Sequence, residues 1–217
     1  MSTSSMITAS VDVKRLGLVD YEVAWAMQRE LHQEIAESNR PNTLLLLEHP
    51  PIFTAGRRTL ESERPVDGSR VIDVDRGGKI TFHGPGQIVG YPIVRLRDQH
   101  NVVGFVREIE NALINVCGEF GIKSERYCER SGVWIRDDKG DRKIAAIGIR
   151  VARGVTMHGF ALNVDTDLSF YDRIVPCGIK DAGVTSLSNE LNRELKTEDV
   201  RPILERHIFE ALAKVAI

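Results

Sequence analysis

The chain has 217 residues, of which 42% are hydrophobic and 28% charged, and a formal net charge of −2 at pH 7. This length predicts one domain with a substantial core, which we place at residues 11–217, behind a flexible polar tail at residues 1–10. The small net charge argues against nucleic-acid binding, and no apolar run approaches the ~20 residues that a membrane span needs. We therefore expect a cytoplasmic protein that binds neither nucleic acid nor membrane.

Hydrophobic residues at helical spacing predict three long helices, at residues 21–38, 102–120 and 198–215. Each is preceded by a residue whose side chain can cap the first turn, namely Asp20, Asn101 and Thr197. Gly121 ends the second helix, because glycine accepts the left-handed conformation common after helices.

The remaining apolar runs predict strands. Residues 43–47 are a threonine followed by four leucines, an apolar run that is typical of a strand buried on both faces. Residues 132–135, 142–151 and 155–164 are separated by turn signals and predict an antiparallel meander. The expected fold class is α/β (α+β), with a mixed, largely antiparallel sheet flanked by helices.

Glycines, cations and a histidine are concentrated in RGGKITFHGPGQ at residues 76–87, between two apolar runs. Glycines between strands allow a ligand to approach the backbone closely, so the segment indicates a binding site. The alternative is a glycine-rich hairpin that binds nothing. His83 is assigned to the substrate pocket, where it could donate to a substrate carbonyl, and His158 to a supporting role.

Three cysteines without CxxC spacing argue against a zinc site or a disulfide framework. Cys117 falls on the apolar stripe of the second helix and is expected in the core, whereas Cys128 is ambiguous. Cys177 lies between Pro176 and Gly178 in a non-periodic stretch, and the residues alone leave a nucleophile and a buried structural thiol equally open. A nucleophile would need a cation or base nearby, and the candidates are His83, His158 and Lys143. The alternative for Lys143 is a solvated lysine at the end of a strand.

Four motifs in register, RGG…TFHGPGQ…YP, KIA…G, HGFALN and PCG, together resemble the octanoyltransferases of lipoate biosynthesis, the lipoyl(octanoyl)transferase family. That family is related to lipoate and biotin protein ligases, and the resemblance implies their general catalytic fold. It also implies that Cys177 is the nucleophile and Lys143 the general acid and base. The acyl-binding residues it implies are Arg76, Gly77, Gly78, Lys79, Ile80, Thr81, Phe82, His83, Ala146, Ile147, Gly148, Gly159, Phe160 and Ala161.

The resemblance implies transfer of an octanoyl group from octanoyl-acyl carrier protein, through a thioester on Cys177, to a specific lysine of a lipoyl domain. The implied acceptors are the lipoyl domains of 2-oxoacid dehydrogenase E2 subunits and the glycine cleavage H protein, and no cofactor or metal is implied. Small residues such as Gly78, Ala146 and Gly159 would open a slot for the tail, and backbone N–H groups near Gly77, Gly78 or Cys177 could hold an oxyanion. Arg57, Arg58 and Arg150 are candidates for contacting the acidic carrier.

Three other functions remain open on the sequence. An ATP-dependent lipoate or biotin ligase would bind an acyl-adenylate in the same slot and would need no nucleophilic thiol. A carrier-docking or acyl-binding module would use the slot without turnover. A papain-like thiol hydrolase would use His83 or His158 as base and admit water.

Overall fold

The computed structural model describes residues 11–127, 130–174 and 182–217, so the predicted tail at 1–10 lies outside the described residues. The strands are β1 (Val11–Leu18), β2 (Asn42–Glu48), β3 (Ile52–Ala55), β4 (Val71–Asp73), β5 (Thr81–His83), β6 (Gln87–Ile93), β7 (Glu125–Tyr127), β8 (Arg130–Ile135), β9 (Arg142–Ala152), β10 (Val155–Asn163) and β11 (Gly183–Val184). The α-helices are α1 (Tyr21–Ala36), α2 (Val102–Glu119), α3 (Leu187–Leu191) and α4 (Thr197–Val215), and 3₁₀ turns cover Glu61–Glu63 and Leu168–Arg173.

A mixed sheet with the strand order β1, β2, β6, β10, β9, β8, β7 forms the centre of the fold, and β11 adds to it beside β9. β1 runs parallel to β2 and β11 parallel to β9, while the other neighbouring strands are antiparallel. The predicted fold class and the meander of β8, β9 and β10 are therefore confirmed. A second, three-stranded sheet has the order β4, β3, β5.

The two faces of the main sheet are buried differently. Leu44 and Leu46 of β2 belong to a core with α2 and α4, whereas Leu45 and Leu47 belong to a core with α1. Alternate side chains of one strand point to opposite faces, so β2 is buried on both, as its uniform apolar sequence predicts. None of the helices in the described ranges is long and apolar enough to cross a bilayer.

The predicted helices form, with shifted ends. Asp20 accepts from the backbone N–H groups of Glu22 and Val23 and caps α1 as expected, but the helix ends at Ala36 instead of residue 38. The prediction of Thr197 as the cap of α4 is wrong by one residue, since Lys196 is the N-cap. The Thr197 hydroxyl instead donates to Glu48 Oε1 at 2.8 Å, a tertiary contact that the local sequence does not reveal.

Candidate active site

A cavity of about 230 Å³ lies between strands β9 and β10 of the main sheet and the glycine-rich segment. Gly159 of β10 faces Gly148 of β9, and Ala161 faces Ala146, so small residues meet along this wall. The full lining is Tyr21, Arg58, Arg76, Gly78, Lys79, Thr81, His83, Tyr91, Arg130, Ser131, Lys143, Ala146, Ile147, Gly148, His158, Gly159, Phe160 and Ala161.

Eleven of the predicted acyl-binding residues line this cavity and three do not: Gly77, Ile80 and Phe82. Ile80 and Phe82 are fully buried in a separate apolar cluster with Phe53, Tyr171 and Ile174. Alternation along β5 explains this, because Thr81 and His83 project to one face and Phe82 to the other. The Gly77 N–H donates to Ile149 O at 3.1 Å, so of the three oxyanion donors that the sequence suggested, Gly77 is already engaged, and Gly78 and Cys177 remain predictions.

Arg76 shapes the glycine-rich segment from inside. Its guanidinium is buried and donates to Thr54 O and Lys79 O, each at 2.8 Å, and to Gly77 O at 3.1 Å. Gly78 has φ +89°, a conformation that disfavours any side chain. Arg76 therefore holds the turn against the sheet from within.

Strand packing by itself requires a glycine at position 159. A Cβ there would lie 1.9 Å from Gly90 O of the adjacent strand β6. A Cβ on Gly148 would meet Arg76 Cδ at 2.8 Å and Gly77 O at 3.1 Å. Gly159 lines the cavity as predicted, but a side chain at this position would first clash with β6, so Ala146 and Ala161 are the small side chains that shape the wall.

Lys143 is the first inward-facing cation of β9 and is only 7% exposed, so it is not a solvated strand end. Its backbone pairs with Trp134 on β8 and Val184 on β11. Its Nζ lies 4.6 Å from the centroid of the Trp134 ring, a cation–π contact. Lys143 forms no ion pair with a carboxylate within the described ranges, although a buried charge costs several kcal/mol unless it is compensated.

The charges that line the cavity all have one sign. They belong to Arg58, Arg76, Lys79, Arg130 and Lys143, and no carboxylate of the described residues lines the cavity, although Lys79 is paired with the buried carboxylate of Glu63. Such a site favours a developing oxyanion or a thiolate and disfavours an incoming ammonium. In the same part of the chain, no group of three His, Cys, Asp or Glu side chains is arranged to hold a metal ion.

Cys177 and Cys128 lie outside the described residues. The described chain stops at Ile174, which packs against Phe82 and Tyr171, and resumes at residue 182. Val184 pairs with Lys143 and packs on the same apolar cluster as Ile174. The third cysteine, Cys117, is fully buried in the core as predicted, and burial raises the pKa of its thiol to about 11.

Two histidines of the cavity wall stay neutral at physiological pH. Burial lowers the pKa of His158 to about 4 and that of His83 well below its ordinary value. The Nε2–H of His158 donates to Asp75 Oδ1 at 2.7 Å, and its backbone N–H donates to Gln28 Oε1 at 2.9 Å. These bonds hold His158 at φ +60°, which is unusual for a side chain other than glycine or asparagine.

Two of the three arginines proposed for carrier contact are exposed. Arg57 and Arg58 follow β3, and Arg58 reaches the cavity. Arg150 is instead paired with Asp75, next to His158. Residues that sequence reasoning missed include Tyr21, which lines the cavity from α1, and Trp134, which contacts Lys143 from β8. Trp134 lies between Val133 and Ile135 in a buried apolar strand, so its sequence context indicates a core residue and not a site residue.

The sequence profile of the lipoyl protein ligase A/B catalytic domain matches residues 20–209, so the chain belongs to this family. Similar curated proteins include Octanoyltransferase of Salinispora arenicola, 59% identical over 203 residues that make up 93% of this chain and 95% of that protein. Octanoyltransferase of Mycobacterium avium is 57% identical over 194 residues, 88% of this chain and 83% of that protein. Within the family the chain groups with the octanoyltransferases, as its four motifs predict.

Solved structures share the fold at low sequence identity. A bipartite lipoate protein ligase from Thermoplasma acidophilum superimposes with a TM-score of 0.70 and 18% identity, covering 94% of this chain and 84% of that chain. Biotin protein ligase from Aquifex aeolicus gives 0.52 and 13%, over 94% of this chain and 69% of that chain. These likenesses support the predicted ligase-like architecture.

Proposed function

We propose that this acyltransferase moves an octanoyl group from octanoyl-acyl carrier protein to a specific lysine of a lipoyl domain, through a thioester on Cys177. The main observation behind the proposal is that Lys143 is buried in the wall of a cavity that includes several small residues. Within the described chain, Lys143 has no carboxylate partner. The names of the curated relatives support the octanoyl group and the reaction class.

Chain length supports a meeting of Cys177 with Lys143. Cys177 follows Ile174 by three residues, so it lies within about 11 Å of Ile174 along a fully extended chain. Ile174 shares an apolar cluster with Val184, the strand partner of Lys143. The described chain before this segment thus packs on the same apolar cluster as the strand partner of Lys143, which supports the proposed pairing of the two residues.

In the first half of the reaction, the Lys143 ammonium stabilises the Cys177 thiolate, which attacks the carbonyl carbon of the carrier thioester. The new C–S bond forms first and the carbonyl electron pair moves onto oxygen. The carbonyl then reforms, the bond to the carrier sulfur breaks, and Lys143 gives its proton to the departing thiolate. The cations around the cavity stabilise the oxyanion between these steps. Because one thioester replaces another, no ATP is needed.

In the second half, the neutral amine of the acceptor lysine attacks the carbonyl of the Cys177 thioester. A C–N bond forms, the C–S bond breaks, and the Cys177 thiolate is restored. Lys143, now neutral, takes the proton that the amine loses and regains its charge. An amide is more stable than a thioester, so this half makes the overall transfer effectively irreversible.

The partners follow from the same assignment. The acceptors are the lipoyl domains of 2-oxoacid dehydrogenase E2 subunits and the glycine cleavage H protein. Arg57 and Arg58, exposed beside the cavity, supply positive charge for an acidic carrier protein. The acyl tail lies along Ala146 and Ala161, where each buried CH₂ contributes about 0.8 kcal/mol.

The test compares two acyl sources. Purified protein and a lipoyl domain are mixed either with octanoyl-acyl carrier protein without ATP, or with octanoate and ATP. We expect octanoylation of the lipoyl domain only from the carrier, and its loss in Cys177→Ser but not in Cys117→Ser. Transfer that requires ATP and free octanoate would contradict the proposal and indicate a ligase.

A further inference from the structure

His83 lines the cavity and is tied to the protein through only one of its ring nitrogens. Its Nδ1 lies 2.8 Å from Gln87 Oε1, and its Nε2 makes no hydrogen bond to any residue in the described ranges. Whether His83 donates or accepts toward a substrate depends on which nitrogen carries the ring proton. The surrounding hydrogen bonds determine this.

A directional chain of hydrogen bonds fixes the tautomer. The backbone carbonyl of Thr185 can only accept, so the Asn163 atom 2.9 Å from it is the Nδ2 amide. Asn163 Oδ1 therefore faces Gln87 and accepts from Gln87 Nε2 at 2.9 Å. Gln87 Oε1 is left facing His83, so His83 Nδ1 must carry the proton.

A second carbonyl supports the same orientation independently. Gln87 Nε2 also lies 3.2 Å from the Phe82 carbonyl oxygen, which again can only accept. Burial keeps the imidazole neutral because the pKa of His83 lies well below its ordinary value. His83 therefore presents a lone pair at Nε2, and the sequence-based idea that it donates to a substrate carbonyl is incompatible with this network.

The His83 Nε2 differs from the other polar side chains of the cavity because it can only accept. The cavity also contains hydroxyl groups, which can accept but can donate as well, on Tyr21, Thr81, Tyr91 and Ser131. The charged side chains there are cations and therefore donors. His158 also has an unprotonated nitrogen, but its Nδ1 is enclosed and has no partner among the described residues. Buried acceptors are costly to leave unpaired, so a donor from a ligand or water is expected at His83 Nε2.

We infer that His83 Nε2 accepts a hydrogen bond from the attacking amine of the acceptor lysine and so orients its lone pair toward the thioester. This inference rests on the proposed function. Of the groups that react there, the thioester and octanoyl tail have no N–H or O–H, whereas the amine always has one. As the C–N bond forms, the nitrogen becomes positive and its N–H a stronger donor, so the bond strengthens in the transition state. His83 is too weak a base to keep the proton, which goes to Lys143.

The test separates two ways of removing the acyl group. Protein acylated by octanoyl-acyl carrier protein is isolated and then mixed either with a lipoyl domain, whose amine attacks, or with free carrier, whose thiolate attacks and offers no N–H. For His83→Leu we expect the amine reaction to slow by about 10- to 100-fold, with the thiol reaction within threefold of wild type. His83→Gln, which keeps an acceptor oxygen, should recover part of the loss.

His49→Gln is the matched control. His49 is also a buried histidine, 5.6 Å from the His83 ring, but both of its nitrogens are bonded, to Val19 O and to the Tyr91 hydroxyl. Its ratio of amine to thiol rates should equal that of wild type. Ring ¹⁵N shifts at pH 7 should show a proton on His83 Nδ1 in wild type.

An amine-to-thiol rate ratio that is unchanged in His83→Leu, or a ring proton on His83 Nε2, would overturn the inference. Neither result would contradict the proposed transferase activity. Failure of the wild-type protein to become acylated would overturn the proposed function, and this inference with it.

Discussion

Lys143 occupies a position that is unfavourable for a lysine unless a ligand or an intermediate supplies negative charge. It is buried, and its only charge-related contact in the described chain is the face of Trp134. The sequence identified Lys143 through its motif but not its environment. The burial of Lys143 depends on its strand partners, Trp134 on β8 and Val184 on β11, and a local sequence pattern around Lys143 does not predict either pairing.

Lys143→Met replaces the ammonium by an apolar group of similar length. We expect octanoyl transfer to fall by at least about 100-fold, since general acid–base catalysis contributes that much or more. The melting temperature should not fall, because a buried unpaired charge is removed. Lys139→Met, in the exposed turn before β9, is the control and should transfer normally. Normal transfer by Lys143→Met would rule out its assigned role.

Cys117 should be chemically inert in the folded protein. Its thiol is fully buried in the core and burial raises its pKa to about 11, so at pH 8 it is almost wholly protonated. We expect no alkylation of Cys117 by iodoacetamide at pH 8 until urea unfolds the chain. Peptide mapping gives the result, and native labelling as rapid as in urea would contradict the burial.

At the scale of elements, local patterns predicted α1, α2, α4 and the meander, but not the parallel pairing of β1 with β2 or the second sheet. Helical periodicity and turn residues are local signals, whereas β1 pairs with β2 across the whole of α1. The strand β5 was hidden because it is three residues long and embedded in a glycine-rich segment. That strand turns His83 toward the cavity and Phe82 away from it.

Ala146, on the wall formed by the adjacent strands β9 and β10, should limit the length of the acyl chain that the cavity accepts. In Ala146→Leu the added carbons enter the slot, so we expect kcat/KM for octanoyl carrier to fall at least tenfold relative to hexanoyl carrier; each lost CH₂ contact contributes about 0.8 kcal/mol. The measurement is transfer with carriers of four, six and eight carbons. An unchanged preference would place the tail elsewhere.

Gly159→Ala is the contrasting variant. Its Cβ would meet Gly90 O of β6 at 1.9 Å, so the strands must separate. We expect a loss of about 1–3 kcal/mol in the free energy of unfolding, measured with urea, and no change in chain-length preference. A stable Gly159→Ala protein that prefers shorter acyl chains would show that Gly159, too, limits the length of the bound chain.

At the scale of the whole molecule, buried histidines link stability to pH. Burial lowers the pKa of both His49 and His158 to about 4, below the ordinary value of about 6.5 that they regain on unfolding. Between those values the unfolded chain binds protons that the folded one does not, so stability falls as pH decreases.

We expect the free energy of unfolding to drop by roughly 2 kcal/mol per histidine between pH 7 and pH 5. Urea unfolding at the two pH values measures it. His49→Gln should reduce the difference by about one histidine's share, while His100→Gln, at an exposed position, should leave it unchanged. Stability that is flat or rises toward pH 5 would contradict the neutral, buried state of these rings.

The most direct measurement of the central claim is peptide-level mass spectrometry of the protein after mixing with octanoyl-acyl carrier protein in the absence of ATP. We expect one octanoyl group on the peptide that contains Cys177, removed when a lipoyl domain is added and recovered on a lysine of that domain. No adduct on Cys177, with the lipoyl domain nevertheless becoming octanoylated, would contradict the thioester mechanism.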